Sequence, residues 1–458
     1  MQELPARIRG VLEIDPGAPA LEFEGITRPW SFLAGAVAEL DERLTALGLG
    51  EGTPVGIVVR NRPDSVGAII AVLGTSRCVV TLSSAIPPTA LAEDIRSLAL
   101  PVVVMGDRDW GAEGVVTAVV DAGGVAVRVS AGGLFVAETE GAARRSTVRT
   151  MPGVAVQMLT SGTTGPPKRI DLCYRSLEHE FESTAAYSPT ADVGSVRLRS
   201  GTSILWAPLL HIGGMRGLIS SVVSGRRMAL LERFDVEAWR RLVVEHRPPV
   251  VSLAPTALRM VLDAGVPVET FESVRAVFAG TAPLVPEVAD EFRDRYGVPV
   301  LVVYGATEFA GGVAGWTLRD WEQYGETKRG SVGRANAGIR VRIVDPDSGQ
   351  PAGSGPPGVL EVMGPQLGTD DWVRTTDLAR MDDDGFIWIL GRADDVIIRG
   401  GFKISTTKVR DALVGHPDVA DASVVGVPDA RLGQVPVAAV EAKPGASLSA
   451  EGLEAFLR

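Results

Sequence analysis

A ten-residue segment rich in glycine and hydroxyl side chains has the composition of a phosphate-binding loop. It reads LTSGTTGPPK over residues 159–168 and directly follows the strand-like run 154–158. Glycines let backbone N–H groups approach an anion closely, the hydroxyls donate further hydrogen bonds, and Lys168 adds a positive charge. The spacing of a Walker A loop is absent. A solvated turn is the common alternative for such residues, but a string this long and specific favours phosphate binding.

Two further polar segments are expected to share one edge of a parallel sheet. The pattern predicts a strand over 274–279, a helix over 285–296 that stops at Gly297, and a second strand over 298–303. Ligands bind beyond the carboxyl ends of the strands in such sheets. The segments 280–283 and 304–308 are therefore predicted to form one site.

Asp377 and Arg392 are predicted to face each other across a β-hairpin. Asp384-Gly385 is a strong two-residue turn signal between two strand-like runs. With that turn, the register pairs Asp377 directly with Arg392. A bulge or a longer loop would change the pairing, and a cross-strand ion pair is the structural alternative to a shared ligand.

The elements that must position these residues alternate between helix and strand, which indicates an α/β fold. A second structural unit is expected to begin near Val154, and residues 111–149 are interpreted as short strands and loops. The upstream predictions are helices over 29–47, 65–73 and 89–98, and strands over 54–59, 79–82 and 101–105.

Composition excludes several classes of protein. The only cysteines are Cys78 and Cys173, and the four histidines have no ligand spacing, so neither a disulfide framework nor a protein-held transition metal is expected. A net charge of −11 disfavours nucleic-acid binding. Neither a transmembrane stretch nor a signal peptide is recognisable, so the cytoplasm is the expected location.

Six motifs, in order, resemble those of the adenylate-forming superfamily, which includes acyl-CoA ligases, firefly luciferases and nonribosomal peptide adenylation domains. The resemblance covers nearly the whole chain and is strongest to a bacterial acyl-CoA ligase. After LTSGTTGPPK the motifs are APLLHIGG (207–214), AGTAPL (279–284), VYGATE (303–308), RTTDLARMDDDGFIWILGRADDVI (374–397), and GGFKIS with HPDVADASVVGVPD (400–429).

The resemblance implies activation of a carboxylic acid by ATP and Mg²⁺ to acyl-AMP, followed by transfer to CoA. Lys168, His211, Thr307 and Glu308 would be catalytic, with Thr307 at the α-phosphate and Glu308 on Mg²⁺, a cation that prefers oxygen ligands. Asp377 and Arg392 would bind the ribose. The remaining residues implied to bind ATP or AMP are Thr160, Ser161, Gly162, Thr163, Thr164, Gly165, Gly280, Thr281, Ala282, Tyr304, Gly305 and Ala306.

The resemblance also implies an acyl pocket with His211 at its junction with the phosphates, although an ordinary hydrogen-bonded histidine is the alternative. Relatives that activate amino acids carry a Phe-Asp pair where this chain has Leu210-His211. We therefore expect a bulky, uncharged acyl group such as an aromatic one, with a long fatty chain as the alternative. The implied pocket residues are His211, Gly213, Gly214, Ser252, Phe309, Gly311 and Gly312.

The implied fold is a large multi-sheet N-terminal domain over 1–391 and a small mobile α/β C-terminal domain over 392–458, with a hinge near Asp394. Gly400 and Gly401 would line the path of CoA. The family's C-terminal lysine would lie beyond Lys443, the last lysine here, so we expect an incomplete C-terminal domain or specialisation for one half-reaction. Arg169 or Lys403 could replace its charge.

Alternatives to a CoA ligase remain open at this point. A stand-alone adenylation domain would load an acyl carrier protein instead of CoA, and a nucleotide-binding homologue would hold ATP without turnover. The oligomeric state is open, with a homodimer as one option.

Overall fold

In the part of the chain that the structure describes, helices alternate with strands that form five sheets. The computed structural model describes residues 3–130, 135–139, 150–160, 168–184, 195–393, 396–399, 402–429, 431–443 and 445–457. The helices are α1 (Leu4–Ile14), α2 (Trp30–Ala46), α3 (Pro63–Gly74), α4 (Pro88–Leu98), α5 (Asp107–Trp110), α6 (Val115–Asp121), α7 (Tyr174–Ser183), α8 (Ile212–Val223), α9 (Val236–His246), α10 (Pro255–Asp263), α11 (Pro286–Tyr296), α12 (Leu318–Tyr324), α13 (Thr406–Val414) and α14 (Ala450–Phe456).

The strands are given in chain order. They are β1 (Pro19–Phe23), β2 (Ile26–Pro29), β3 (Pro54–Val59), β4 (Cys78–Ser83), β5 (Val102–Gly106), β6 (Val125–Val129), β7 (Phe135–Glu138), β8 (Val154–Thr160), β9 (Lys168–Cys173), β10 (Arg199–Leu205), β11 (Arg226–Leu230), β12 (Val250–Ser252), β13 (Ala276–Ala279), β14 (Val300–Ala306), β15 (Gly311–Gly315), β16 (Arg334–Ala335), β17 (Arg340–Val344), β18 (Gly358–Gly364), β19 (Thr369–Met381), β20 (Ile387–Arg392), β21 (Val396–Arg399), β22 (Phe402–Ser405), β23 (Val419–Asp429) and β24 (Gly433–Ala442).

The largest sheet has the strand order β7-β6-β5-β3-β4-β8-β9. Its central strands β3 and β4 are buried along their whole length, as the nearly continuous apolar runs of parallel strands predict. β8 pairs in parallel with β4. The expectation that a second unit begins near Val154 was therefore wrong, because this strand extends the sheet that β3 starts.

Most of the upstream predictions are confirmed, but the stretch 111–149 contains a helix that sequence patterning did not indicate. α6 is rich in β-branched residues, which have weak helix propensity. Its buried residues Val115, Ala118 and Val119 pack with Leu91 and Ile95 of α4 in one cluster. Tertiary packing here overrides local preference.

The second sheet, in the order β12-β13-β14-β15-β16, supplies the predicted parallel edge. β13 and β14 are parallel, and α11 connects them, as the sequence predicts. Gly297 ends α11 in the left-handed conformation, with φ +68°, which glycine adopts without steric cost. Both strands therefore end on the same side of the sheet.

Three four-stranded sheets complete the fold. Their orders are β10-β11-β1-β2, β17-β18-β19-β20 and β22-β21-β24-β23. Arg392 is the last residue of β20, and the next sheet begins with Val396 in β21. The division into domains over 1–391 and 392–458 stays a prediction. Among the described residues, no helix combines the length and the apolar character needed to cross a membrane.

An aromatic cluster stabilises the helices that cover β13. Phe271 lies 4.4 Å from Tyr296 and 5.3 Å from Phe292 between ring centroids, and its side chain is 3% exposed. Such pairs contribute beyond the burial of their area. Val268 lies in the same short 3-10 turn as Phe271 and is 51% exposed.

We expect Phe271→Ala to lower the free energy of unfolding by about 3–5 kcal/mol, because it leaves a cavity among the packed rings. Urea unfolding followed by tryptophan fluorescence measures the change. Val268→Ala, three residues away, is the control and should cost less than about 0.5 kcal/mol. Equal costs for the two variants would contradict the packing argument.

Candidate functional site

The loop after β13 and the end of β14 lie side by side, as the sequence predicts. A Cβ placed on Gly280 would lie 3.0 Å from the carbonyl oxygen of Val303, and one on Gly305 would lie 2.1 Å from that of Gly311. A side chain at Gly305 would therefore collide with the neighbouring strand, and one at Gly280 would contact its neighbour more tightly than side chains normally do. The two glycines keep the edge narrow and expose backbone to a ligand.

Thr281 has a strained backbone at this edge. Its φ is +70°, a region in which β-branched residues are rare. Such strain costs on the order of 1–3 kcal/mol and is concentrated at functional sites. Thr281 and Ala282 are both exposed. The loop is thus held in an unfavourable conformation facing solvent.

Tyr304 of β14 donates a hydrogen bond from its hydroxyl to Oδ2 of Asp377 in β19. This contact joins the second sheet to the sheet that contains β17 to β20. Burial raises the pKa of the Tyr304 phenol well above its ordinary value of 10.0, and the carboxylate of Asp377 raises this pKa further, while Arg392 opposes the shift. The phenol therefore stays protonated and can act as the donor.

Asp377 pairs with Arg392 across β19 and β20, so the predicted pairing is confirmed. The predicted two-residue turn was nevertheless wrong. The loop covers residues 382–386, because Met381 pairs with Ile387, and this shifts the nearby register by one position. A bulge between Leu378 and Ala379 restores the register before Asp377. The longer loop and the bulge shift the register in opposite directions, so Asp377 still faces Arg392.

The predicted phosphate loop connects the ends of an antiparallel pair. Thr160 of β8 pairs with Lys168 of β9, and Lys168 is exposed beside the loop. The intervening Ser161, Gly162, Thr163, Thr164 and Gly165 lie outside the described residues.

Arg169 follows Lys168 in β9 and forms an ion pair with Asp94. Its guanidinium lies 2.6 Å from Oδ2 of Asp94 and donates to the carbonyl oxygen of Thr81 at 3.0 Å. These contacts occupy part of the guanidinium, and the suggestion that Arg169 could replace the charge of the family's C-terminal lysine stays a prediction. The side chain of Lys403 is outside the described part of the chain.

His211 is exposed and immediately precedes α8. The loop before it is fixed by Asn61, a buried residue that sequence reasoning missed. The amide nitrogen of Asn61 donates to the carbonyl oxygens of Trp206 and Ala207, and its oxygen accepts from the backbone N–H of Leu209. An asparagine between β3 and α3 gives no sequence signal for a contact so distant in the chain.

Thr307 and Glu308 follow β14 directly and begin a 3-10 turn that ends at Phe309. Glu308 is exposed, and no cation pairs with its carboxylate within the described ranges. An accessible carboxylate at this edge fits the oxygen chemistry that Mg²⁺ prefers. Ala306 precedes this pair and is matched with Gly311 in β15.

The predicted pocket residues fall into two groups. Gly213 faces the site, since a Cβ there would lie 3.2 Å from Cγ2 of Thr281, and Ser252 is exposed at the end of β12. Gly214 has a packing reason of its own, because a Cβ would lie 2.2 Å from the carbonyl oxygen of Pro208. Phe309 is 4% exposed and belongs to an apolar cluster with Val313, Ile339 and Ile343.

Behind Gly311 and Gly312 lies a buried polar network that the sequence did not indicate. A Cβ on Gly311 would lie 3.0 Å from Oε1 of Glu180, whose side chain is fully buried. Nε of Arg216 donates to that oxygen, and Nη2 donates to Oγ1 of Thr184 at 3.0 Å. Burial raises the pKa of Glu180, while Arg216 and the backbone of Gly312 oppose the rise.

The amide of Gln366 fixes the other side of this wall. Its Nε2 donates to the carbonyl oxygens of Phe309 and Gly312 at 2.8 and 3.1 Å. Nδ2 of Asn336 also donates to Gly312, at 3.0 Å. The predicted hinge and CoA residues Asp394, Gly400 and Gly401 lie outside the described residues, so their roles stay predictions.

Comparison with known families now identifies the class of protein. The model described as AMP-binding enzyme matches residues 11–369, and the model of the AMP-binding enzyme C-terminal domain matches residues 408–458. The chain belongs to the family of AMP-binding enzymes.

Similar proteins are named as CoA ligases. The chain is 29% identical over 340 residues to 4-coumarate--CoA ligase-like 3 of Arabidopsis thaliana, covering 70% of this chain but only 59% of that protein. It is 28% identical over 467 residues to 2-succinylbenzoate--CoA ligase of Bacillus velezensis, covering 97% and 89%. The ATP-bound MatB structure from Rhodopseudomonas palustris has a TM-score of 0.83 at 23% identity, covering 99% of this chain and 91% of that one, which shows a shared fold.

We expect Tyr304→Phe to lower the free energy of unfolding by roughly 1.5–3 kcal/mol at neutral pH, because a hydrogen bond to a charged acceptor is lost. A group whose pKa is higher in the folded state than in the unfolded state stabilises the fold at any pH below its ordinary pKa. This stabilisation is lost progressively as the pH rises above the ordinary pKa. The difference between wild type and variant should therefore shrink above pH 10.0, the ordinary tyrosine value.

Urea unfolding at a series of pH values measures this effect. Tyr324→Phe is the control, because within the described residues the Tyr324 hydroxyl accepts a side-chain hydrogen bond only from the exposed amide of Gln323. A difference between wild type and Tyr304→Phe that does not change with pH would contradict the role given to the phenol.

Proposed function

We propose that this protein activates a carboxylic acid with ATP to form an acyl-adenylate and then transfers the acyl group to CoA. The observation that carries the proposal is the contact of Tyr304 with Asp377, opposite Arg392, at the edge where Thr307 and Glu308 follow β14. In a chain of the AMP-binding family, this arrangement supports a nucleoside site bounded by an aromatic ring, a carboxylate and a guanidinium. The CoA ligases among its relatives support the acceptor.

In the first step, a carboxylate oxygen of the acid forms a bond to the α-phosphorus of ATP. The bond between that phosphorus and the bridging oxygen breaks, and pyrophosphate leaves. Thr307 donates to the α-phosphate, and Lys168 stabilises charge on the departing phosphates. Asp377 and Arg392 hold the ribose hydroxyls, so the reacting atoms are oriented before the bond forms.

In the second step, the sulfur of CoA forms a bond to the acyl carbonyl carbon. The bond from that carbon to the phosphate oxygen breaks, AMP leaves, and the thiol proton passes to solvent. His211 immediately precedes α8, in which Gly213 faces Thr281, and would close the acyl pocket toward the phosphates. Gly400 and Gly401 would admit the thiol arm because they carry no side chain.

Glu308 would hold Mg²⁺, which when bound offsets the negative charge of the phosphates. The exposed carboxylate without a cationic partner in the described part of the chain fits this role. Neutralisation is needed because the protein itself carries a net charge of −11.

The direct test measures pyrophosphate release for a panel of acids and thioester formation with CoA or with a pantetheinylated carrier protein. Acid-dependent pyrophosphate release and a CoA thioester support the proposal. Release with transfer only to the carrier would replace CoA as the acceptor. ATP binding without release for any acid would leave a nucleotide-binding protein.

We expect Glu308→Gln to abolish the increase in ATP affinity that Mg²⁺ gives to the wild type. A neutral amide is a poorer ligand for a hard cation than a carboxylate. Calorimetric titration with and without Mg²⁺ measures the effect, and Glu326→Gln, whose side chain is 88% exposed, serves as the control. Equal magnesium dependence in Glu308→Gln and the wild type would remove this residue from the site.

We expect Asp377→Ala to weaken AMP binding by roughly 1.5–3 kcal/mol, or about 10- to 100-fold in Kd, because charged hydrogen bonds to the ribose are lost. Tyr304→Phe keeps the carboxylate and should weaken binding less. Asp371→Ala changes an exposed carboxylate of the same strand and should leave the Kd unchanged. If Asp377→Ala behaves like Asp371→Ala, Asp377 has only a structural role.

A further inference from the structure

α8, which starts directly after His211, has one positively charged side chain on the side that would face the proposed acyl pocket. Gly213 in its first turn faces Thr281. Residues three and four positions apart lie on one side of a helix, so Arg216 and Gly217 share this side with Gly213. α8 has the sequence IGGMRGLISSVV and contains no charged side chain besides Arg216.

Arg216 crosses from α8 to the wall formed by β15. Nε contacts Oε1 of Glu180, and Gly311 lies against the same carboxylate. Gly311 is paired with Ala306, which immediately precedes Thr307. The ion pair therefore closes the space between α8 and the β14–β15 hairpin, a few residues from the predicted phosphate contacts.

Two glycines border this space. Gly213 faces Thr281 and Gly311 faces Glu180 without a side chain of their own, and the side chain of Arg216 is 32% exposed. Nε and Nη2 donate to Glu180 and Thr184, whereas Nη1 makes no hydrogen bond with any described residue. A guanidinium has five N–H donors, so Arg216 retains donors for a ligand.

The charge of this group is already balanced. Glu180 is completely buried, and its Oε2 has no hydrogen-bond partner within the described ranges. A second carboxylate brought to Arg216 would add negative charge next to Glu180 in a poorly solvated place, which is costly. A neutral oxygen can accept an N–H bond from Arg216 without that repulsion.

We propose that Arg216 determines acyl specificity and that the activated acid carries a neutral, hydrogen-bond-accepting oxygen, such as a hydroxyl or keto group, at its far end. This inference rests on the proposed function and names its substrate class. Glu180 acts as a positioning residue, because it fixes the guanidinium without being accessible itself. The apolar rest of the acyl group lies along the glycines.

The experiment compares isosteric acids by pyrophosphate release with the full chain. One series is 5-oxohexanoic, 5-methylhexanoic and pentanedioic acid, and the other is 4-acetylcinnamic, 4-isopropylcinnamic and 4-carboxycinnamic acid. We expect the neutral oxygen-bearing acid of at least one series to exceed its methyl analogue by about 10- to 100-fold in kcat/KM. The dicarboxylic acid should be the poorest of each series.

Two variants separate specificity from folding. Arg216→Lys keeps the charge but loses the planar fork, and the double variant Glu180→Gln with Arg216→Gln keeps a neutral hydrogen-bonded pair. Both should bring the oxygen-bearing acid close to its methyl analogue, mainly through KM, because the contact is distant from the reacting atoms. Arg240→Lys, at the exposed pair with Glu237, should keep the wild-type preference.

The outcomes distinguish this inference from the function on which it rests. If the wild type releases no pyrophosphate with any acid, the proposed function fails and the inference with it. If acids are activated without preference for oxygen, if a dicarboxylic acid is preferred, or if folded variants keep the wild-type preference, only the inference is overturned. Thermal melting of each variant establishes that it is folded.

Discussion

The hydrogen bond from Tyr304 to Asp377 is the contact on which the geometry of the site depends, because it joins two sheets that are built independently. β14 reaches this point through a parallel βαβ unit, and β19 reaches it through an antiparallel hairpin. A charged acceptor makes the bond strong, and burial keeps the phenol protonated. The nucleoside site proposed here therefore needs both sheets to fold before its residues can meet.

Glycine residues also allow the elements around the site to approach one another closely. β14 and β15 approach so closely that Gly305 cannot carry a Cβ, and the loop of Ala207 and Pro208 lies so close to α8 that Gly214 cannot either. Thr281, in the loop that follows β13, has a strained backbone. Backbone is thus exposed where phosphate and adenine are expected, while side-chain contacts such as those of Asn61 hold the loops from behind.

Local patterns predict this fold well where neighbouring residues decide the structure, and poorly where distant ones do. The β13–α11–β14 unit has clear periodicity and a glycine stop, so its parallel edge is predictable from residues 274–303 alone. The pairing of β8 with β4 is not, because within the described residues these strands are separated by three helices and three other strands. α6 was missed for the related reason that its helix depends on contacts with α4.

The pairing of Asp377 with Arg392 shows how a correct contact can follow from an incorrect turn. Turn residues indicate a hairpin, but they do not reveal a bulge several residues away, because the bulge depends on how β19 also pairs with β18. Site residues carried by family motifs can be proposed from the sequence alone, whereas the ion pair of Glu180 and Arg216 has no local pattern. It forms between two helices whose facing sides only the fold defines.

That ion pair changes how the acyl end of the site can be understood. The missing Phe-Asp pair indicates an uncharged acyl group, and the glycines indicate space, but neither observation says what the far end must recognise. A guanidinium neutralised by a buried carboxylate resolves this, since it offers directional N–H donors without a net charge that would select an anion. In the proposal made here, electrostatic balance therefore reconciles an uncharged acyl group with an arginine in the acyl pocket, and a substrate without a neutral oxygen would leave those donors unpaired at a cost in affinity.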